Sequence, residues 1–342
     1  MKAVRFLGNG RSAVAEIPCP EPRHGEVLVK ILASAVCGSE RKDWAGEIDK
    51  DQMFISGHEA VGEIVVVNET RQRKIGERVC VQIMHGCGHC CYCQKGLPAF
   101  CPDLQYESAC HAQYAVLPES CVVPIDADIS PDVAVLLGGD LLGVAWRATR
   151  QLPIRPKAWV FVSGGGPIGL GMTRMLKALG ARVVLSEPSD FRREFAKSRA
   201  GADLALNPAE EDVHAALLEI TDGLGPEITI ECSGHPTAQG QALYWTRCQG
   251  HVMFCGENYR GLNIVPSLQI IHKELNVHGA FYFAPADVPE IVRLYRNGMN
   301  PEGLISHRVG LEEAPEAMRA FFEGQTGKVI LLPHGREVLK GE

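Results

Sequence analysis

The residues best suited to chemistry form a cysteine-rich stretch, GCGHCCYCQKGLPAFC (86–101). Four of its cysteines follow the pattern C-x2-C-x2-C-x7-C: Cys87, Cys90, Cys93 and Cys101. Four thiolates complete the tetrahedral coordination of Zn²⁺ and leave no position for a substrate, so the pattern predicts a structural zinc site. An iron–sulfur cluster is the alternative, but there the last gap is x3 and a second set of four cysteines is expected. Cys91 and His89 are then bystanders, although either can in principle replace a neighbouring ligand.

A catalytic zinc site, in contrast, needs three protein ligands and one open position. Outside the cysteine-rich stretch, Cys37 in AVCGSE and His58 in SGHEAVGE are candidate ligands. A single buried cysteine is usually inert and a single histidine is more often structural. The two residues alone therefore leave their role open.

A glycine-rich turn, VFVSGGGPIGLG, lies between a predicted strand and a predicted helix and matches G-x-G-x-x-G. Such glycines allow a tight turn and let a pyrophosphate approach the free N–H groups of the helix N-terminus. Pro167 suits the first helical turn, where a missing N–H is not needed. A glycine-rich turn without a ligand is the alternative. We predict a dinucleotide site that includes Gly164, Gly166, Pro167, Ile168 and Gly169.

An acidic residue follows at the distance expected for the same site. Glu187 ends the next predicted strand, 18 residues after Gly169. There a carboxylate binds the adenosine ribose hydroxyls and repels a 2′-phosphate. The residue predicts NAD as the cofactor rather than NADP, although Arg192, which we include in the predicted site, and Arg193 lie close by.

Composition and charge exclude several classes of function. The 342 residues are 46% hydrophobic and 22% charged, and the formal net charge of −7 is not accompanied by a basic run. Nucleic acid and anionic membranes are poor partners for such a chain. The N-terminal residues lack the apolar core of a signal peptide, and no segment reaches the roughly 20 apolar residues of a membrane span. Thirteen cysteines without an export signal predict reduced thiols in a cytoplasmic protein.

The elements that must position these residues follow from the hydrophobic pattern, which predicts an α/β protein. Residues 1–150 contain short Val- and Ile-rich strands separated by turn residues. From 151 to 284, apolar strands alternate with helices, which indicates a parallel sheet covered on both faces. Residues 285–342 are too few for a third domain, so we expect them to return and complete the first.

Motifs along nearly the whole chain resemble the zinc-dependent medium-chain alcohol dehydrogenases, particularly the polyol, threonine and formaldehyde dehydrogenase branches. The motifs are GEVLVKILASAVCGSE, GHEAVGEIV, GERVCV, the four-cysteine lobe (86–101), HAQYAVLP, GGGPIGLG, ECSGHP, KELNVHG and LISHRVGLEEAPEA. The resemblance implies a GroES-like β-rich catalytic domain and a Rossmann domain with a doubly wound parallel sheet. It also implies an active site in the cleft between them, and a homodimer or homotetramer associating through the Rossmann domains.

The resemblance further implies a ligand set for the catalytic zinc. Cys37 and His58 match two family ligands, and Asp140 in LLGGDLLGVAWRA is similar to an acidic third ligand. A helix N-cap is the alternative role for Asp140. Glu59 matches an acid that lies behind the metal and can approach it.

Two more residues receive roles from the same resemblance, and one position departs from the family. Ser39 matches the hydroxyl that takes the alcohol proton. Many relatives have a histidine three residues later, whereas this chain has Lys42, which leaves the final proton step open. Lys328 matches a basic residue on the cofactor pyrophosphate, and an exposed lysine before a strand is the alternative.

Together these features predict a zinc-dependent oxidoreductase with two zinc ions per subunit. It would interconvert a secondary alcohol, polyol or sugar-like hydroxyl and its ketone by hydride transfer with NAD(H). L-threonine 3-dehydrogenase and formaldehyde dehydrogenase-like activities are alternatives within the family. A zinc-binding reductase of activated C=C bonds and a non-enzymatic nucleotide-binding protein are alternatives of other classes. The joint presence of Cys37, His58 and Asp140 argues against the reductase.

Overall fold

The computed structural model describes residues 1–46 and 54–339. The chain divides into two compact units. Unit 1 comprises Met1–Gly143, Phe283–Gly298 and Ile305–Glu342, and unit 2 comprises Val144–Tyr282 and Met299–Leu304. The segment Met299–Leu304 therefore belongs to unit 2, whereas the predicted return segment 285–342 placed it with the first domain.

The strands, in chain order, are β1 (Lys2–Gly8), β2 (Arg11–Glu16), β3 (Glu26–Ala35), β4 (Phe54–Ile55), β5 (Glu59–Asn68), β6 (Arg78–Val81), β7 (Met84–His85), β8 (Gln105–Tyr106), β9 (Tyr114–Pro118), β10 (Val122–Pro124), β11 (Trp159–Ser163), β12 (Arg182–Ser186), β13 (Leu204–Leu206), β14 (Ile228–Glu231), β15 (His251–Phe254), β16 (Asn276–Gly279), β17 (Ile305–Val309) and β18 (Lys328–Leu331).

The α-helices are α1 (Arg41–Ala45), α2 (Cys91–Gln94), α3 (Pro131–Leu137), α4 (Asp140–Thr149), α5 (Pro167–Ala178), α6 (Asp190–Phe195), α7 (Val213–Ile220), α8 (Pro236–Trp245), α9 (Asp287–Arg296) and α10 (Ala314–Phe322). None of the helices in the described part of the chain is long and apolar enough to span a membrane.

Unit 1 is built on a sheet in which β3 is central. The strand order is β10-β6-β5-β3-β18-β17, with β9 also paired to β3. The strand β3 is rich in Val, Leu, Ile and Ala, and almost all of its side chains are buried. Such residues fit a strand that is covered on both faces. Ala35, at the end of β3, pairs with Glu59 of β5 on one side and with Ile330 of β18 on the other. Three strands thus place their ends side by side.

The core of unit 1 packs α10 against strands of the sheets. Phe321 and Phe322 on α10 lie in one buried cluster with Phe6 and Trp44. The rings of Trp44 and Phe322 are 4.8 Å apart, centroid to centroid. Full burial of one such side chain contributes about 1.5–3 kcal/mol, so this cluster holds the short helix α1, which carries Trp44, against the sheet.

Unit 2 contains a parallel sheet with the order β13-β12-β11-β14-β15-β16. In order of appearance along the unit this is 3-2-1-4-5-6, the order of a doubly wound dinucleotide-binding sheet. Its central strand β11 has four buried residues in a row, Val160 to Ser163, as expected for a strand covered by helices on both faces. The predicted α/β fold class, with a parallel Rossmann-type sheet, is confirmed.

Candidate functional site

Potential metal ligands meet at the strand ends of unit 1. The ligand atoms of Cys37, His58, Glu59 and Asp140 all lie within 4.8 Å of one another. His58 Nε2 lies 3.2 Å from Asp140 Oδ2, and Cys37 Sγ lies 3.7 Å from the same oxygen. Ser39 Oγ lies 3.4 Å from Cys37 Sγ and 3.5 Å from His58 Nε2. The structure therefore brings together the five residues assigned by resemblance to the catalytic centre.

Sheet register explains why residues so distant in sequence meet. Because Ala35 lies opposite Glu59, the chain that leaves β3 passes Cys37 close to His58, the residue before β5. A short 3-10 turn, Gly38–Glu40, follows Cys37 and places Ser39 at the surface. Asp140 enters as the first residue of α4.

The geometry of the cluster fits a tetrahedral zinc ion. Bonds of about 2.0–2.3 Å at tetrahedral angles separate ligand atoms by about 3.3–3.8 Å, close to the distances between Asp140 and its two neighbours. Among the described residues, Glu59 Oε2 and Asp140 Oδ1 are buried without a hydrogen-bond partner. The pKa of the Cys37 thiol is raised, because the effect of burial is larger than the opposing effect of His58. A bound cation would satisfy the orphaned oxygens and hold the thiolate ionised.

Asp140 does not act as a helix cap in this arrangement. Its Oδ2 faces Cys37 and His58, and its Oδ1 has no partner among the described residues. The side chain is mostly buried, at 13% exposure. These contacts favour the ligand role over the N-cap alternative.

Lys328 forms a buried ion pair with Glu59, one of the four acidic or metal-ligating residues of the cluster. Lys328 Nζ lies 2.5 Å from Glu59 Oε1, and the two side chains are 1% and 0% exposed. Burial alone would lower the pKa of Lys328, but the neighbouring acidic groups, Glu59 foremost and then Cys37 and Asp140, together raise it. The alternative of an exposed lysine before a strand is wrong, because Lys328 is the buried first residue of β18. Its assignment to the cofactor pyrophosphate stays a prediction.

Two residues of this region were missed by the sequence interpretation, Glu40 and His111. Glu40 is 2% exposed, and its Oε2 accepts the Cys37 backbone N–H at 2.8 Å. Its Oε1 accepts the Gly57 N–H at 2.9 Å and lies 3.9 Å from His58 Nδ1. Burial disfavours the charged carboxylate, but His111, His58 and Ser56 together hold the pKa of Glu40 well below its usual range. The signal for Glu40 is an acid three residues after Cys37; His111 has no comparable signal.

Gly57 lets His111 approach this cluster. Its φ is +106°, in the region that favours glycine, and a Cβ at this position would overlap the backbone N of His111 and lie 2.7 Å from the Nδ1 of that ring. The His111 N–H donates to the Ser56 carbonyl at 3.0 Å. Close packing against His111 therefore requires a glycine immediately before the candidate ligand His58.

The four predicted cysteines of the lobe also converge. The sulfur atoms of Cys87, Cys90, Cys93 and Cys101 lie within 4.8 Å of one another. Cys90 Sγ and Cys101 Sγ are 3.8 Å apart, as expected for two thiolates about 2.3 Å from one zinc ion. The Cys93 N–H, directed at Cys90 Sγ, lowers the pKa of Cys90 to about 7. The set fits a closed structural zinc site.

The two bystanders of the lobe lie apart from the four thiols. Cys91 is exposed. His89 is exposed, and its Nδ1 donates to the Cys87 carbonyl at 2.9 Å. Neither residue belongs to the set of converging ligand atoms.

The glycine-rich turn of unit 2 joins β11 to α5. Gly164 has φ +101°, and a Cβ on Gly169 would overlap the Gly164 carbonyl oxygen. Gly166 precedes Pro167, the first residue of α5, and Ile168 is half-buried in its first turn. The turn thus leaves its backbone and the N-terminus of a 12-residue helix free of bulky side chains, as a pyrophosphate site requires.

Glu187, the residue after β12, accepts a hydrogen bond from the backbone of this turn. Its Oε2 accepts the Gly165 N–H at 2.7 Å, and its Oε1 accepts the Ser189 N–H at 3.0 Å. Arg193 donates to the carbonyls of Glu187 and Pro188 at 2.8 and 2.7 Å, so its guanidinium is already engaged. Arg192 Nη1 lies 4.0 Å from the position that a Cβ on Gly166 would take.

Known proteins resemble both parts of the chain. The family described as alcohol dehydrogenase GroES-like domain matches residues 23–127, and the family described as zinc-binding dehydrogenase matches residues 167–297. L-threonine 3-dehydrogenase of Pyrococcus abyssi is 34% identical over 340 residues, covering 93% of this chain and 94% of that protein. Sorbitol dehydrogenase of Bacillus subtilis is 29% identical, covering 98% of each.

Solved structures give the same result. An alcohol dehydrogenase from Thermus sp. ATN1 superimposes with a TM-score of 0.89 at 26% identity, covering 97% of this chain and 99% of that one. The mixed-ligand cluster in unit 1, the four-cysteine lobe and the glycine-rich turn in unit 2 all fit an enzyme that uses zinc and a nicotinamide cofactor. The chain belongs to the zinc-dependent medium-chain alcohol dehydrogenase family.

Proposed function

We propose that this dehydrogenase interconverts a secondary alcohol or polyol and its ketone, with NAD as the hydride acceptor. The observation that carries the proposal is the cluster of Cys37, His58 and Asp140. Glu59 lies in the same cluster but is paired with Lys328, which leaves three ligands of mixed chemistry, whereas the four-cysteine lobe offers a closed set of thiols. An open position is what a catalytic zinc needs.

The chain's own residues supply orientation and proton transfer. When bound to Cys37, His58 and Asp140, zinc would lower the pKa of an alcohol hydroxyl. Ser39 is exposed, and its Oγ lies beside two of these ligands, so it can accept the hydroxyl proton and release its own to solvent. Lys42 is also exposed, one turn further on, which leaves water as the simplest route for the proton. The nicotinamide would take the hydride.

L-threonine is a second candidate substrate, favoured by the 34% identity to a threonine dehydrogenase. A panel of L-threonine, sorbitol, butane-2,3-diol, simple alcohols and formaldehyde with glutathione, each with NAD and NADP, would separate the candidates. Metal analysis of the same preparation is expected to give two zinc ions per subunit. One zinc ion per subunit, with reduction of activated C=C bonds, would contradict the proposal. Two zinc ions without hydride transfer from any panel member to NAD or NADP would favour a non-enzymatic role.

The NAD preference rests on Glu187. A 2′-phosphate placed at the adenosine ribose would meet this carboxylate, and Arg193, one of the two nearby arginines, is engaged with backbone carbonyls. We expect kcat/KM for NAD to exceed that for NADP at least tenfold, and Glu187→Ser to remove most of this preference. A wild-type preference for NADP would refute the role given to Glu187.

We also propose that the protein associates through unit 2 into homodimers or homotetramers. Strand β16 lies at one edge of the parallel sheet, with its second edge unpaired within the described residues. Val277 on this strand is 44% exposed, and Leu268 and Ile271 nearby in sequence are each 62% exposed. An unpaired strand with apolar side chains is suited to association with a second copy. Light scattering should give two or four times the subunit mass, and Val277→Lys should lower this mass; a wild-type mass of one subunit would refute the proposal.

A further inference from the structure

His111 occupies a fully buried position between Glu40 and Ser34. Its side chain is 0% exposed, and so is that of Ser34. His111 Nδ1 lies 2.5 Å from Ser34 Oγ, on β3, and Nε2 lies 3.1 Å from Glu40 Oε1. Since an ionised carboxylate only accepts hydrogen bonds, the Nε2–H must be the donor to Glu40. Both ring nitrogens are therefore bound, and the ring has one orientation that satisfies both partners.

Glu40 is the group through which His111 reaches the metal ligands. Besides the Nε2–H of His111, its carboxylate accepts the N–H groups of Cys37 and Gly57 and the hydroxyl of Ser56. Four donors fill the approximately four acceptor positions of a carboxylate. A carboxylate saturated in this way has little freedom to rotate.

The orientation of the Glu40 carboxylate affects two of the proposed zinc ligands, Cys37 and His58. Glu40 Oε2 fixes the backbone of Cys37, and Glu40 Oε1 faces His58 Nδ1 at 3.9 Å, while His58 Nε2 faces the ligand cluster. Groups behind metal ligands set their orientation and commonly change metal affinity about 10–100-fold when removed. Without His111, Glu40 would lose the only side-chain N–H donor that the described residues place within 3.5 Å of it. Its carboxylate could then turn away from Cys37 and His58.

We propose that His111 is a positioning residue for the catalytic zinc, acting through Glu40, with Ser34 fixing the ring. The inference rests on the proposed catalytic role of the Cys37, His58 and Asp140 cluster. His111 lies outside the ligand set and does not contact substrate. Its effect is on the zinc affinity and ligand geometry of this one site.

The test replaces His111 by phenylalanine, which fills similar space without hydrogen bonds, and by glutamine, whose amide can donate to Glu40. Zinc release from the holoenzyme to a chromogenic chelator gives the affinity of each site, and the visible spectrum of cobalt-substituted protein reports ligand geometry. For His111→Phe we expect the affinity of the catalytic site to fall about 10–100-fold, with an altered cobalt spectrum and an unchanged four-cysteine site. His111→Gln should recover most of the loss.

A matched control is His85→Phe. Like His111, His85 has its Nε2 close to a carboxylate, 3.0 Å from Glu107 Oε1, but its partner is not Glu40. This variant should keep wild-type affinity at the catalytic site. The proposal is overturned if His111→Phe keeps the wild-type affinity and spectrum, or weakens both zinc sites equally. If His111→Phe does not fold, Ser34→Ala decides: weaker catalytic-site affinity supports the proposal and wild-type affinity overturns it. Since no readout needs a substrate, failure of the alcohol panel would not affect this test.

Discussion

The buried pair of Lys328 and Glu59 gives the sharpest prediction. Lys328→Met keeps the length of the side chain but removes its charge, and leaves Glu59 in a fully buried place. Removing one partner of a buried ion pair costs about 3–5 kcal/mol, because the remaining charge is no longer compensated. For a unit of this size that corresponds to a fall in Tm of roughly 10 °C.

The assay is thermal unfolding of holoenzyme, with kinetics in parallel. A double variant, Lys328→Met with Glu59→Met, removes both charges and should recover most of the lost Tm, as replaced buried pairs often do. Lys177→Met is the control: Lys177 Nζ lies 2.7 Å from Asp203 Oδ2, but these side chains are 27% and 34% exposed. This variant should change stability by no more than about 1 kcal/mol.

The result that would refute this reasoning is a Lys328→Met variant with wild-type Tm and a raised KM for NAD. That outcome would mean that Lys328 serves the cofactor pyrophosphate, as the family resemblance implies, without stabilising Glu59. A lower Tm together with a raised KM would assign both roles to the same side chain.

Three further predictions concern the metal sites and pH. Asp140→Asn should reduce the zinc content, measured by mass spectrometry, from two ions to one per subunit, because an amide is a weaker zinc ligand than a carboxylate. If the variant keeps both ions and most of its activity, Asp140 is not a ligand. Cys93→Ser should lose the other ion and lower Tm, since a structural zinc contributes directly to folding; unchanged metal content would contradict a four-thiolate site. Burial and the neighbouring His278 lower the pKa of His251 below 6.5, so the unfolded chain binds the proton more tightly and stability should rise as pH increases toward about 6.5. His251→Asn should flatten that rise, measured as Tm between pH 5 and 7.5.

Much of the fold follows from sequence because its signals are local. The apolar strands of unit 2 alternate with helices, and the glycine-rich turn identifies where the first strand ends. The four cysteines of the lobe lie within one short stretch, so their spacing alone predicts that they converge. The candidate ligands Cys37, His58 and Asp140 needed family resemblance, since their spacing carries no readable pattern.

The contacts that the sequence did not predict join residues far apart in the chain. Lys328 lies 269 positions after Glu59, and nothing near it in sequence indicates that a carboxylate will be its partner. His111 lies 71 positions after Glu40 and belongs to no spacing pattern. Lys328 and His111 are both buried polar residues, and their contacts depend on which strands become neighbours in the sheet. Strand register, which fixes those neighbours, is set by packing of the whole sheet.

The two proposed metal sites differ in how much of the chain must fold before their ligands come together. The lobe closes over 14 positions, from Cys87 to Cys101, whereas Cys37 and Asp140 are separated by 103. Closing a longer loop has a larger entropic penalty, and the distant pair also needs β3, β5 and α4 in place. We therefore expect the lobe to take up zinc early during synthesis or refolding, and the catalytic site only after the sheet of unit 1 has formed. Refolding in limiting zinc should fill the lobe first, giving a folded but inactive protein that later addition of zinc activates.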